Sequence, residues 1–372
     1  MKVLQLGKLY YPETGGIEKT MQQIAEGIRE SVDSYVLAAQ PRGKAHREEV
    51  NGVHVYYAAT FGRIASLPIS VDLVRYLCRH ASEFDVIHLH MPFPLGDVAC
   101  LLSGFKGELV VYWHSDVVRQ KKLMFFYRPI MERLLKRADV IVIATQGNID
   151  GSPYVKPYEH KCICIPFGVT RSIEKRSDEF WRRRLMAEDK MGTLNLLFIG
   201  RLVYYKGCEV LIQALNSLAD ADIHLTIIGT GVLEMDLRQM VKGCGLDKQV
   251  HFLGYAEEGE LIRQLEACDV FVFPSVAKSE AFGLVQLEAM AYGKPVINTS
   301  LETGVPYVSI HGVTGLTVKP GSERELADAI QFMKEHPEER IRMGDAARLR
   351  LKEEYTEEIM IDRLLKLYKE LI

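Results

Sequence analysis

The sequence contains no long apolar run. Nothing in its 372 residues approaches about 18 uninterrupted apolar positions, so no segment reads as a membrane-spanning helix and any membrane contact must be peripheral. The amino-terminal stretch MKVLQLGKLYYPETGG is broken by Pro12 and two glycines too early to form the apolar core of a signal peptide. Excess charge is also small. A net charge of −3 gives no global attraction to nucleic acid, so any anion site must be local. The seven cysteines are odd in number and scattered, without the paired spacing that zinc sites use. Cys162 and Cys164 fall on one face of an apparent strand, KCICIP, where core packing is the simpler reading. A reducing, cytoplasmic compartment is the expectation. A dinucleotide fingerprint is missing too: IIGTGVLEMDLRQMV has G-x-G after a strand but no third glycine, which argues against a nicotinamide-dependent oxidoreductase.

What is present is a regular alternation. At 372 residues the chain exceeds the usual size of one core, and two domains are expected. Short apolar runs (KVLQLG, SYVLAA, VHVYYA, DVIHLH, ELVVYWH, DVIVIAT, KCICIP) are separated by helical patterns such as Lys19 to Glu30 and Val71 to Glu83. After the charge-dense stretch Thr170 to Gly192 the pattern restarts with LNLLFIG, IHLTIIG, QVHFLG, DVFVFPS and KPVINTS. Strands alternating with helices imply α/β units with parallel sheets, and strands apolar at nearly every position imply burial on both faces. The predicted architecture is two Rossmann-like domains, residues 1–169 and 170–354, with a carboxy-terminal helix, 355–372, crossing back to the first.

Ligands of such sheets bind beyond the carboxyl ends of the strands, where helix N-termini offer unpaired N–H groups. Three loops fit. In GKLYYPETGGIEKT the adjacent Gly15 and Gly16 either make a flexible turn or let a ligand approach the backbone closely. In FIGRLVYYKGCEV, Arg201 follows a strand and Lys206 precedes a helix, a pairing suited to a diphosphate. In SEAFGLVQLEAMAYGKP, Glu280 lies in a loop and Glu288 on the following helix, with the amides of Phe282, Gly283 and Leu284 at its start. Carboxylates do not bind phosphate; they accept from hydroxyls, and a sugar nucleotide carries hydroxyls on both sides of its diphosphate. The triplet Asp220 to Asp222 precedes its strand instead of ending one, and reads as a turn and not as a metal site.

With these motifs in order, the chain resembles the retaining glycosyltransferases of GT-B fold, the glycosyl transferases group one. The resemblance rests on EAFGLVQLE, GRLVYYKG, the amino-terminal Gly-Gly loop and GVTGLTVKPG (Gly312 to Gly321), and it covers nearly the whole chain. It implies two Rossmann-like domains around a cleft, an amino-terminal acceptor domain, and a second domain that holds a nucleotide-sugar donor. Arg201 and Lys206 would hold the diphosphate. Glu280 would contact the donor sugar, helped by amides around Phe282, Gly283 and Leu284, and Glu288 would bind the ribose. Gly16, with Gly15 beside it among the donor-binding residues, would close over the phosphates and the acceptor. VVYWHSD resembles the family's active-site histidine segment, which places His114 beside the reacting carbon with Glu280 as its catalytic partner.

The stretches YWHSDVVRQKKLMFFYRPIMERLLKRADVIV and LETGVPYVSIHGVTG resemble bacterial mannosyl- and rhamnosyltransferases of polysaccharide and lipopolysaccharide assembly. That implies transfer of mannose from GDP-mannose, with retention, to a saccharide acceptor linked to a lipid such as a polyprenyl diphosphate. A UDP-sugar transferase and a non-catalytic sugar-nucleotide-binding protein are the alternatives. No metal and no cofactor are expected, the nucleotide-diphosphate sugar being a substrate, and no nucleic-acid partner. Residues 119–137 interleave basic and aromatic positions at helical spacing. They form either an ordinary amphipathic helix or one that lies on the inner face of the cytoplasmic membrane.

Overall fold

Strands that are apolar throughout need cover on both faces, and in both sheets the central strands have it. The computed structural model describes residues 1–13, 15–64, 67–117, 121–184 and 192–372. The chain divides into two units, Met1–Phe167 with Glu357–Ile372, and Gly168–Thr356.

The first unit runs β1 (Lys2–Gly7), α1 (Gly16–Ile28), β2 (Asp33–Ala39), β3 (His46–Val50), β4 (Val53–Ala58), then a short ribbon of β5 (Arg63–Ile64) and β6 (Leu67–Pro68). It continues with α2 (Val71–His80), β7 (Val86–Met91), α3 (Pro94–Leu102), β8 (Glu108–Trp113), α4 (Lys121–Arg137), β9 (Val140–Ile143), α5 (Gln146–Gly151) and β10 (Cys162–Cys164). The main sheet has the order β10-β9-β8-β7-β1-β2-β4-β3. Every residue of β7 and β9 is buried, as a parallel strand covered on both faces requires. From β1 the chain first builds toward β2 and later returns to add β7 on the other side, so the strand order reverses between β1 and β7. The last helix of the chain, Glu357–Leu371, buries Met360, Ile361, Leu364, Leu367 and Tyr368 in this unit. It lies against α1 where Gly27 leaves room: a Cβ there would meet Ile361 Cδ1 at 2.6 Å.

Two expectations are corrected here. The sheet is not wholly parallel, because β3 pairs antiparallel with β4. Asn51 and Gly52 connect them with φ of 50° and 79°, the left-handed pair that a two-residue hairpin needs. The other concerns KCICIP, which forms an edge strand instead of a core one. Cys164 and Ile163 are exposed and Cys162 is half-buried.

The second unit begins with α6 (Arg171–Arg184) and continues β11 (Leu194–Ile199), α7 (Cys208–Leu218), β12 (Ile223–Ile228), α8 (Glu234–Gly243), β13 (Val250–Gly254) and α9 (Glu258–Ala267). Then follow β14 (Val270–Val272), α10 (Leu284–Ala291), β15 (Val296–Thr299), α11 (Val305–Val308), β16 (Gly315–Val318), α12 (Glu323–Glu335) and α13 (Pro337–Glu354). Its sheet, β13-β12-β11-β14-β15-β16, is parallel throughout. Here the order reverses between β11 and β14. Asp220 to Asp222 is the turn before β12, closed by Asp222 N–H donating to Asp220 Oδ1 at 3.0 Å. Among the described residues no helix is long and apolar enough to cross a membrane.

Candidate active site

In the second unit the reversal between β11 and β14 decides which loops meet. Residues after β11 and after β14 leave neighbouring strand ends, and ligands of open α/β sheets bind at such a point. The first loop carries Arg201 and a short turn, Tyr204–Lys206; the second carries Ser275 and Glu280 and leads into α10. Val276 N–H donates to Tyr205 O at 2.8 Å and joins the two loops. Gly207 makes the close approach possible. Its φ is 71°, and a Cβ there would lie 2.0 Å from Pro274 O.

This contact sets the chemistry. Lys206 Nζ lies 2.5 Å from Glu280 Oε2, with each side chain only 11% exposed. Ser275 Oγ donates to the same oxygen at 3.2 Å. Beneath the ammonium is the ring of Phe273, its centroid 4.9 Å from Nζ. The same ring packs under Gly283, where a Cβ would come within 2.5 Å of it, so Gly283 starts α10 at a φ of 82° that favours glycine. The N-cap Gly283 has no side chain to cap α10; Gln286 N–H donates back to Gly283 O at 2.9 Å, and the partial positive charge of the helix start is left without a side-chain cap. Phe282 is buried and Leu284 half-buried. Arg201 is exposed and donates from Nη2 to Tyr205 Oη at 2.8 Å. Glu288 sits half-buried about one turn into α10. The structure thus brings Lys206, Glu280 and Gly283 together around Phe273, with Leu284 next in sequence at the start of α10, and Tyr205, Phe273 and Ser275 are supporting residues that sequence reasoning missed.

The first unit holds the other expected residues. Gly15 precedes α1 in extended conformation, and a Cβ there would lie 2.2 Å from Glu18 Oε2. A carboxylate of the first turn therefore folds over this helix start, beside the exposed Gly16. His114 follows β8, only 7% exposed. Its Nε2 lies 2.9 Å from Nδ1 of His90, and its ring stacks on Phe167 at 5.4 Å with planes 4° apart. Burial, reinforced by His90, holds the His114 pKa well below the usual value. His90, Gln5 and Tyr368 were also missed. The signal was present in VIHLHM, where histidines two positions apart on a strand must share a face. No group of three His, Cys, Asp or Glu side chains converges as a metal site among the described residues.

A chain of two Rossmann-like units, with Lys206, Glu280 and the start of α10 at the strand reversal of the second, is a glycosyltransferase of the GT-B type. The chain belongs to the glycosyl transferases group 1 family, whose model matches residues 183–350, while a glycosyl transferase 4-like domain matches residues 15–148. It is 34% identical to the D-rhamnosyltransferase WbpZ of Pseudomonas aeruginosa, over 96% of this chain and 92% of that protein. It is 30% identical to the O-antigen chain mannosyltransferase C of Escherichia coli, over 100% of this chain and 99% of that protein. Among solved structures it is similar to Anabaena HepE in complex with UDP-glucose, with a TM-score of 0.76 and 21% identity, covering 100% of both chains.

The GDP-mannose donor expected from the sequence is corrected by these comparisons. Three structures of Anabaena HepE that match this fold over their whole length hold UDP or UDP-glucose. The motifs behind the expectation explain the error: Arg201, Lys206 and Glu280 were expected to meet a diphosphate and a sugar, which every such donor shares, and no residue was assigned to the base.

Proposed function

We propose that the protein transfers a hexose from a UDP-sugar to a hydroxyl of a saccharide acceptor, with retention at the anomeric carbon. The observation that carries this reading is the Lys206–Glu280 pair beside the uncapped start of α10. As the glycosidic bond to the donor breaks, negative charge grows on the diphosphate. Lys206 and the α10 amides are fixed donors for that charge, each worth about 3 kcal/mol in a shielded site, and the exposed Arg201 adds a further cation. Glu280 orients Lys206 and accepts from a hydroxyl of the donor sugar, and Glu288 accepts from the ribose. His114 and the Gly15–Gly16 loop contribute from the first unit, His114 at the reacting sugar. Retention without a protein nucleophile has the leaving phosphate take the acceptor's proton on the face it departs from. Thermal unfolding with a panel of UDP-, GDP-, ADP- and dTDP-sugars tests the donor. At about a hundred times Kd, a UDP-sugar should raise Tm by roughly 5–10 °C. Stabilisation by a GDP-sugar with none by UDP-sugars would overturn the choice of base.

The acceptor is proposed to be lipid-linked, as through a polyprenyl diphosphate, and met at the inner face of the cytoplasmic membrane. Met124, Met131, Leu134 and Leu135 turn α4 into its own core, yet Phe125 and Phe126 on the same helix are 78% and 76% exposed. Arg128, Arg133, Lys136 and Arg137 follow on α4, whereas Arg119 and Gln120 of the predicted stretch lie outside the described residues. Exposed aromatics beside cations suit an anionic interface. Replacing Phe125 and Phe126 together by serine should abolish most flotation with vesicles containing anionic lipid and leave transfer to a water-soluble acceptor intact. Unchanged flotation would exclude α4 as the contact.

A further inference from the structure

A row of buried polar side chains stands behind His114. Tyr368 of the carboxy-terminal helix, Gln5 of β1, His90 of β7 and His114 meet in turn. Gln5 Nε2 donates to Tyr368 Oη at 3.3 Å, Gln5 Oε1 lies 2.9 Å from His90 Nε2, and His90 Nδ1 lies 2.9 Å from His114 Nε2. Gln5, His90 and Tyr368 are fully buried. The Tyr368 hydroxyl also reaches His88 Nδ1, at 2.5 Å. The rings are held in place as well, since His114 stacks on His90, Tyr112 and Phe167 with interplanar angles of 22°, 23° and 4°.

The direction of this chain follows from what each atom can do. An amide oxygen only accepts, so Gln5 Oε1 requires the proton of His90 on Nε2. Burial pushes the His90 pKa down to about 3, so near neutral pH the ring carries that one proton and its Nδ1 is a lone pair. A lone pair at 2.9 Å from His114 Nε2 requires the proton of His114 to sit there. His114 is neutral for the same reason, burial. Its Nδ1 is then an acceptor, and it meets no hydrogen-bond partner among the described residues.

We infer that Tyr368, Gln5 and His90 are positioning residues that fix His114 as the Nε2–H tautomer, presenting Nδ1 as the acceptor for a sugar hydroxyl. The consequence for the reaction, though not the tautomer itself, rests on the proposed place of His114 at the reacting sugar. In that role His114 orients its substrate by accepting a hydrogen bond, and it has no proton to give from Nδ1. A lysine-like charge at this position would not substitute for it, because the hydroxyl needs a lone pair.

Nitrogen-15 spectra of the imidazole rings in the full-length protein at neutral pH read the tautomer directly. The expected result is a proton on Nε2 of His114 and none on Nδ1. A proton on Nδ1, or a cationic ring, overturns the inference whatever the enzyme's activity. Gln5→Leu removes the acceptor of the His90 proton, and Tyr368→Phe removes the hydroxyl that holds the Gln5 amide. Each should mix the His114 tautomers and lower kcat about tenfold, the kinetic equivalent of one hydrogen bond, with a smaller change in KM. If both variants keep the Nε2–H form, the positioning role is lost. Should the wild-type tautomer be as stated while His114→Ala keeps full activity, the placement of His114 at the sugar fails and the chain of hydrogen bonds stands.

Discussion

Lys206→Ala should lower kcat/KM for transfer by about 10²–10³-fold, the loss that follows removal of one pre-placed donor to a developing anion. The structure adds a second effect. Glu280 shares its Oε2 with Lys206 and Ser275 in a site where both charged side chains are 11% exposed. Taking away the cation leaves a carboxylate shielded from water without its partner. Fully buried pairs broken in this way lose about 3–5 kcal/mol, and the remaining exposure here brings the expected destabilisation to roughly 1–3 kcal/mol. Replacing both members, Lys206→Met with Glu280→Gln, removes both charges and should restore most of that stability while activity stays low. This separation is informative. If the double variant regains turnover along with stability, Lys206 serves only to neutralise Glu280 and does not touch the diphosphate. Urea unfolding and steady-state rates on the same three samples decide between the two.

The second large effect is expected at Gly207→Ala. Its φ of 71° lies in the left-handed region, which costs an L-residue about 1–2 kcal/mol. The added methyl would also stand 2.0 Å from Pro274 O, a backbone atom with no side chain to swing aside. Forcing the two loops apart adds about 1–3 kcal/mol, so unfolding stability should fall by roughly 2–5 kcal/mol. Activity should fall further than stability explains. The same displacement moves Lys206, next in sequence, away from Ser275 and Glu280, and an error of about 1 Å in a reacting arrangement is worth about a hundredfold. Rates measured well below Tm, on protein shown to be folded, separate the two contributions. Wild-type turnover in a folded Gly207→Ala protein would mean that the approach of these loops is irrelevant to the reaction.

The strands of both sheets were legible because burial on two faces leaves a one-letter signature. VIVI in β9 and LLFI in β11 have no polar position to confuse with anything else. β3 was not, since HREEV lies at an edge with four of five residues exposed, and its charges look like a loop. Its turn was nonetheless written in plain view as Asn51-Gly52. KCICIP misled for the converse reason: three apolar letters look buried until the sheet ends beside them. Arg201, Lys206 and Glu280 stand out by motif, but their pairing could not be read from spacing. It depends on β14 being laid next to β11, a choice made by two intervening strands that went to the other side. The partners of His114 were hidden by distance, Gln5 and Tyr368 being separated by 363 positions. The base of the donor was hidden because the motifs were read against a diphosphate common to all candidates.

The helix that covers α1 and supplies Tyr368 is encoded after the entire second unit. A ribosome therefore releases residues 1–167 long before the piece that completes their interior exists, and the nascent first unit must wait with the groove around Gly27 and the Gln5 amide uncovered. During that interval its exposed apolar groove is the kind of surface that chaperones shield, and a chain terminated before residue 357 is expected to leave the first unit without its cover.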